Sequence, residues 1–344
     1  MRPNPDWPAV LLAWFDGNRR DLPWREAKPR NPYHVWISEI MLQQTRTEAV
    51  KPYFNAWMER FPKISDVAEA PEETVLHAWQ GLGYYSRARN IRKAAQEITA
   101  SYGGHMPEDL AEIRALPGIG DYTAGAVASI AYGKAVPAVD GNVLRVFARL
   151  YAVKEDILKS KGRKEITALA AAVIPQDRPG DFNEALMDLG AEVCIPRHSR
   201  CGACPLAAEC EAFAQGIAEE LPIRTKKKPQ TVQYGACALL CREGRYLMHK
   251  RAPKGMLANM WEFPMVLSGT EEESRKGLEE LLGGKTGNKR WELTHVFTHR
   301  IWHLRAYDME EGCAPEGADC RWFTPEEMRH IPLAGPHARL AGIL

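Results

Sequence analysis

The spacing of apolar residues changes once along this chain, near residue 220, and that change limits the fold more than any other feature. Before it, apolar positions recur with helical period. In "NPYHVWISEIMLQQTRTEAVKPYFNAWMERF", Val35, Trp36, Ile40 and Leu42 are followed by Tyr53, Phe54 and Trp57 at that spacing. Asn31 reads as a helix cap and Pro32 as a first-turn residue. A break is expected near Lys51-Pro52. Further helices are expected over 72–80, 86–101, 108–115, 121–132, 142–151, 163–173 and 181–192. After about residue 230, "TVQYGACALLCREGRYLMHKR" alternates apolar and polar residues around a Glu-Gly turn, the mark of a hairpin. "WELTHVFTHRIWHLRAYDM" reads as further strands, with "EEESRKGLEELL" and "TPEEMRHI" as helices. The polar, basic stretch "LPIRTKKKPQ" between the two textures predicts a linker over about 217–231. A chain of 344 residues has room for two or three cored domains. The expected fold is multi-domain: an all-α domain, 1–220, followed by an α+β domain, 232–344.

Net charge is +1, so binding to a polyanion must come from local patches. No stretch reaches membrane-spanning length, and no membrane partner is expected. "WPAVLLAWF" lacks a cleavage site and reads as a buried helix, which points to an intracellular, cytoplasmic protein. In a reducing compartment, clustered cysteines are metal ligands before they are disulfides. Cys194, Cys201, Cys204 and Cys210 form C-x6-C-x2-C-x5-C. Only one short knuckle is present, and the spacing favours an iron–sulfur cluster over zinc while leaving zinc open. Cys237, Cys241, Cys313 and Cys320 receive no role.

"LPGIGDYTAGA" places Gly118 and Gly120 in a tight turn that opens a helix at Asp121. Glycine allows backbone angles closed to other residues, and open amides at a helix start attract anions. The turn is thus either a plain helix corner or a grip on a nucleic-acid phosphate that ignores base sequence. Arg87, Arg89, Arg92, Lys93, Arg197 and Arg200 are further phosphate-contact candidates, or simply solvated.

Two carboxylates stand in contrasting settings. Glu39, in "VWISEIMLQQT", has Val35, Trp36 and Leu42 near it on the helix, so burial is expected to raise its pKa and keep a proton for general-acid work. Asp140, in "AVDGNVLRVFARL", precedes a helix whose positive end favours the ionised form. An acid and an anion together suit glycosidic-bond cleavage through a cationic sugar. An exposed helix residue and an ordinary N-cap are the plain alternatives.

"SEIMLQQT", "GLGYYSRARN", "LPGIGDYTAGAVASIAYG", "AVDGNVLRV", "NEALMDLGAEVC" and the four cysteines together resemble the MutY-type adenine DNA glycosylases of the helix-hairpin-helix superfamily. The resemblance covers nearly the whole chain. It implies a hairpin-bearing six-helix lobe, about 25–133, and a lobe of 1–24 plus 134–220 that holds a [4Fe-4S] cluster on the four cysteines. It implies double-stranded DNA with adenine opposite 8-oxoguanine or guanine as the partner, and a monomer that removes adenine by hydrolysis. Tyr122 stands where the endonuclease III branch has its strand-cleaving lysine, so an abasic site is the expected product. Glu39 protonates adenine and then activates water; Asp140 stabilises the sugar cation; Tyr122 and Asn142 position them. Arg25 and Glu184 lie near the adenine. Gln44 and Tyr84 wedge into the base stack, and Thr45 and Leu82 stand at substrate-binding positions. Gly118 and Gly120 hold the backbone.

The C-terminal part resembles the family's Nudix-like recognition domain, through "RAPKGMLANMWEFP" and "HVFTHRIW". The sequence after "WEFP" lacks the R-E-x-x-E-E metal box, so nucleotide hydrolysis is not expected. Phe297, Thr298 and His299 match the loop that reads the oxidised guanine, with threonine where serine is usual. The competing readings are an endonuclease III-like glycosylase and AP lyase, and a non-catalytic, metal-containing DNA-binding protein.

Overall fold

The computed structural model describes residues 6–25, 28–225, 229–315 and 317–344. The start of the expected cluster lobe, 1–5, and Lys226, Lys227 and Lys228 of the expected linker lie outside the described residues. The chain forms two compact units, residues 1–69 with 90–226 and residues 70–89 with 227–344.

The first unit is helical. Its elements are α1 (Trp7–Asn18), α2 (Pro32–Leu42), α3 (Thr47–Arg60) and α4 (Ile64–Glu69); α5 (Glu72–Ala78) belongs to the second unit, and α6 (Ser86–Tyr102) runs from one into the other. There follow α7 (Leu110–Ala115), α8 (Asp121–Ile130), α9 (Gly141–Leu150), α10 (Ser160–Val173), α11 (Pro179–Glu192) and α12 (Glu211–Ala214). Helix α1 buries Trp7, Leu11, Leu12 and Phe15 along one stripe. Trp7 meets Phe147 of α9 edge-on at 5.8 Å and Phe182 of α11 at 5.5 Å. The apolar run that begins the described chain is thus a core helix.

Helix α2 starts as its sequence requires: the Asn31 side chain accepts from Tyr33 N at 2.9 Å, and Pro32 opens the first turn. The expected break at Lys51-Pro52 is absent. The chain turns earlier, at 43–46, where Gln44 takes φ +59°, and α3 continues through Pro52. Proline forfeits the hydrogen bond to the Glu48 carbonyl. That loss falls on the exposed side of the helix, while Val50, Phe54 and Trp57 anchor the other side in the core.

The second unit holds a mixed sheet of β1 (Thr231–Arg242), β2 (Arg245–Lys250), β3 (Trp261–Glu262), β4 (Met265–Ser268), β5 (Thr286–Val296), β6 (Arg300–Met309) and β7 (Cys320–Phe323). The main order is β3-β2-β1-β6-β5, with β4 on β1 and β7 on β2; β1 and β6 are parallel. Alternate residues of β1 serve opposite faces. Ala236, Ala238 and Leu240 meet Leu278 and Leu282 of α13 (Glu271–Leu282), while Cys237 and Leu239 join a core with Trp261, Phe263 and Leu340. Covering both faces produces the unbroken apolar run of this strand. Two short helices follow: α14 (Pro325–Met328), started by a Thr324–Glu327 capping box, and α15 (Gly335–Ala341), which contributes Leu340 to the same core.

Residues 70–89, which the sequence alone assigned to the helical domain, group with this second unit. Polar contacts hold them there. Lys250 Nζ lies 2.6 Å from Glu73, Asn259 Nδ2 donates to Glu72 at 2.6 Å, and Leu333 N donates to Gln80 at 3.2 Å.

Candidate active site

Helix α2 is buried almost all round, and Glu39 is buried with it. Its carboxyl faces a cleft of about 630 Å³, a volume that takes a small organic group. The Tyr122 hydroxyl, from the first turn of α8, donates to Glu39 Oε2. Burial is the largest influence on Glu39; with the nearby charges of Asp140 and Glu184 it outweighs the Tyr122 hydrogen bond and Arg25, and the pKa rises to about 7. Tyr122 is raised as well, by burial and then by the two carboxylates. A carboxyl of this kind holds a proton near neutral pH and can give it up.

Asp140 lines the same cleft as the N-cap of α9. Its Oδ1 accepts from Asn142 N at 2.8 Å and Val143 N at 2.7 Å, and its Oδ2 accepts from Asn142 Nδ2 at 2.8 Å. The helix end was expected to favour the ionised form outright. Burial instead raises the pKa, against the lowering by these N–H groups and Arg145. Both carboxylates are thus desolvated. They differ in partners: Asp140 accepts three N–H hydrogen bonds, whereas Glu39 receives one hydroxyl. The support for Asp140 runs deeper. Arg145 Nη2 donates to Asn142 Oδ1 at 2.8 Å and to Gly190 O at 2.7 Å, and its Nε donates to Cys194 O at 2.7 Å. A side chain at Gly190 would run into Asn142, so glycine lets α11 approach the start of α9.

Arg25 and Glu184 both line the cleft and are partners: Arg25 Nε lies 2.9 Å from Glu184 Oε1, an ion pair without hydrogen-bond alignment. Arg25 also reaches Asp188 with both terminal nitrogens, at 2.6 and 3.0 Å. Arg20 Nε donates to Asp188 at 2.6 Å, and Arg30 approaches Glu184 at 3.3 Å. The sequence reading missed Asp188, Arg20, Arg30 and Arg145. A signal was present: Glu184 and Asp188 stand four apart on α11, whose residues 179–190 are all buried, and two acids there demand cations. Gln44 and Thr45, in the α2–α3 turn, also line the cleft.

The hairpin before α8 has Gly118 at φ +77°, where a Cβ would meet the Asn90 side chain. Gly120 is the N-cap of α8, and no side chain caps the amides there. The four clustered cysteines line one pocket beside Arg149. Arg149, itself buried, donates to Cys194 Sγ at 3.4 Å and to Ile195 O at 2.8 Å. Burial and the other three cysteines push Cys204 up to about 11. Among the described residues no group of three His, Cys, Asp or Glu is placed to hold a single metal ion. Four thiols around a shared pocket are a donor set that fits a metal cofactor.

In the second unit, Leu82, Tyr84, Phe297, Thr298 and His299 line one pocket. The Tyr84 and Thr298 hydroxyls share a hydrogen bond. Phe297 packs edge-on against Trp302 at 4.7 Å and His295 at 4.4 Å. Tyr84, like Gln44, holds a positive φ, +47°, an uncommon state for such residues that often marks a working site. Arg87 is not an open phosphate contact: it is buried, donates to the carbonyls of Leu82 and Gly83, and stacks 5.2 Å over Trp79.

A family model for HhH-GPD superfamily base excision DNA repair proteins matches residues 37–175, and a NUDIX domain model matches 235–341. A solved thermostable thymine-DNA glycosylase is similar with TM-score 0.54 and 29% identity, over 61% of this chain and 95% of that one. A trapped endonuclease III–DNA covalent intermediate gives TM-score 0.52 and 25% identity, over the same shares. The helical scaffold, its glycine hairpin and the acid-lined cleft define a helix-hairpin-helix DNA glycosylase, a DNA-binding enzyme of base excision repair carrying a C-terminal Nudix-like domain. Relatives narrow the class. The adenine DNA glycosylases of Mus musculus and Homo sapiens are each 34% identical over 92% of this chain, covering 73% and 70% of their own lengths. That of Buchnera aphidicola is 34% identical over 86% of this chain and 84% of its own. The chain belongs to the adenine DNA glycosylase family. These relatives are consistent with a metal cofactor. Among the described residues no helix is long and apolar enough to cross a membrane.

Proposed function

We propose that the protein, a cytoplasmic, nucleoid-associated monomer, hydrolyses the N-glycosidic bond of adenine paired with 8-oxoguanine or guanine and leaves an abasic site. The observation that carries this reading is Glu39, buried, hydrogen-bonded by Tyr122 and raised to about 7, in one cleft with Asp140. Extrusion of the adenine costs roughly a few kcal/mol. Glu39 gives its proton to the base, which departs as a neutral leaving group. Asp140, fixed by Asn142 and the α9 amides, stabilises the sugar cation as the bond breaks. Glu39, now ionised, takes a proton from water as that water attacks the sugar carbon. Tyr122 orients the Glu39 carboxyl; having no amine, it forms no Schiff base with the sugar. Arg25 and Glu184, paired, line the adenine's side of the cleft. Gln44, Thr45, Leu82 and Tyr84 support the opened base stack, and the amides after Gly118 and Gly120 hold a phosphate.

The four cysteines suit a [4Fe-4S] cluster, which when bound cross-links the chain between Cys194 and Cys210. Catalysis belongs to 1–220 apart from residues 70–89, which group with the C-terminal unit: a lobe of about 25–133 without that segment and a cluster lobe of 1–24 plus 134–220, with 217–231 linking it to 232–344. Phe297, Thr298 and His299 read the oxidised guanine, the Thr298 hydroxyl already serving as a hydrogen-bond group toward Tyr84. The test is base release from duplexes pairing adenine with 8-oxoguanine, guanine or thymine. Glu39→Gln and Asp140→Asn are expected to bind the mispaired duplexes and release no adenine; near-native release by either variant removes that residue from the mechanism. A visible absorption spectrum of the same preparation separates iron–sulfur from zinc.

A further inference from the structure

A cleft that admits a nucleotide still joined to its strand must also tolerate that nucleotide's phosphates, and three carboxyl groups line this one. Glu39, Asp140 and Glu184 face it. Of its four arginines, Arg20 and Arg25 are committed to Asp188 and Glu184. The other two, Arg163 and Arg224, are exposed, and neither guanidinium has a hydrogen bond or ion pair among the described residues.

These two arginines come from one built corner of the helical unit. Asp156 organises it. Its Oδ1 accepts from Leu158 N at 2.8 Å, and its Oδ2 accepts from Thr225 N at 2.9 Å and from the Thr225 hydroxyl. Ile157 N donates to Ile223 O at 3.1 Å, and Arg149 Nε donates to Leu221 O at 3.0 Å. Residues 221–225, within the expected linker, are therefore strapped to the helical unit, and Arg224 sits between two tethered neighbours. A side chain at Gly162 would run into the Asp156 carbonyl, so the first turn of α10, which carries Arg163, lies flush on the same loop.

We propose that Arg163 and Arg224 form an anion clamp that grips the phosphodiester groups flanking the extruded nucleotide. The proposal rests on the reading of this cleft as the nucleotide pocket. Guanidinium forks suit phosphate oxygens, and each neutralised phosphate releases counterions, so each contact leaves its mark on the salt dependence of binding.

The experiment uses the full chain and a duplex whose target adenosine carries a 2′-fluoro group, which withdraws electrons from the sugar and blocks hydrolysis. Binding is measured over a salt series with this adenine opposite 8-oxoguanine and, separately, with a fully matched duplex. Arg163→Ala and Arg224→Ala are each expected to lower the slope of log affinity against log salt by about 1 on the mispaired duplex, and the double variant by about 2. Mispair affinity falls roughly three- to tenfold per arginine, and the matched duplex loses less. Arg224→Lys retains the slope, while Asp156→Ala, which frees the strap without removing a cation, reproduces the Arg224→Ala loss. Unchanged slopes overturn the clamp. Equal losses on matched and mispaired duplexes also overturn it, since the contacts would then lie outside the extruded nucleotide. If Glu39→Gln still releases adenine, the cleft reading itself fails; if Glu39→Gln is inert and the slopes are flat, only the clamp does.

Discussion

In the proposed mechanism, Glu39 couples activity to stability through one side chain. Its folded pKa, about 7, lies above the ordinary 4.5 because burial disfavours the charged form. A raised carboxyl contributes stability that is complete below pH 4.5 and is lost as the pH rises through about 7. At pH 8 the protein therefore carries a buried anion at a cost of at most roughly 3 kcal/mol. Glu39→Gln is expected to resist urea better than the native protein at pH 8, with the gap closing below about pH 5, while native adenine release falls as pH rises through about 7. An alkaline limb far from 7, or a variant no more stable at pH 8, would separate the acid from this carboxyl. The burial of Glu39 was legible because its apolar neighbours are local in sequence. Asp188 was not read, because its role depends on Arg20 and Arg25, more than 160 positions away. Asp140 was legible as a cap, but burial by distant elements decides the direction of its pKa.

At the scale of elements, local chemistry set most helix starts and distant packing set the rest. Asn31, Asp140 and Thr324 cap the helices that follow them as their residue types dictate. Pro52 is the instructive exception: the rule that proline ends helices yields to a core contact on the opposite side of the same turn. The two hairpin glycines, alike in sequence, differ in what they demand. Gly118→Ala combines a φ of +77° with a clash against Asn90, and is expected to destabilise the helical unit by about 1–3 kcal/mol and to weaken DNA binding. Gly120 has an ordinary backbone and nothing within 4 Å of a Cβ, so Gly120→Ser is expected to keep native thermal stability. Thermal melts of the two variants side by side check the contrast; equal losses would mean the turn is not built as described.

For the molecule as a whole, the change of periodicity near residue 220 falls between α12 and β1, and residues 70–89 group with the sheet that follows. Residues 70–89 read as helix-rich sequence and nothing local marks them as different; their partners, Lys250, Asn259 and Leu333, stand more than 170 positions away in the chain. A protein ended after Thr225 is therefore expected to show faster amide exchange across 70–89 than the full chain, along with a loss of the proposed preference for 8-oxoguanine opposite the adenine. Unchanged exchange there would mean the segment keeps its structure without the sheet. The C-terminal body is thus assembled from two stretches of gene that a simple cut at the linker does not reunite. A recombination that exchanged only the part after the linker would carry the sheet but leave behind residues 70–89, and with them the partners that Asn259, Lys250 and Leu333 find at Glu72, Glu73 and Gln80.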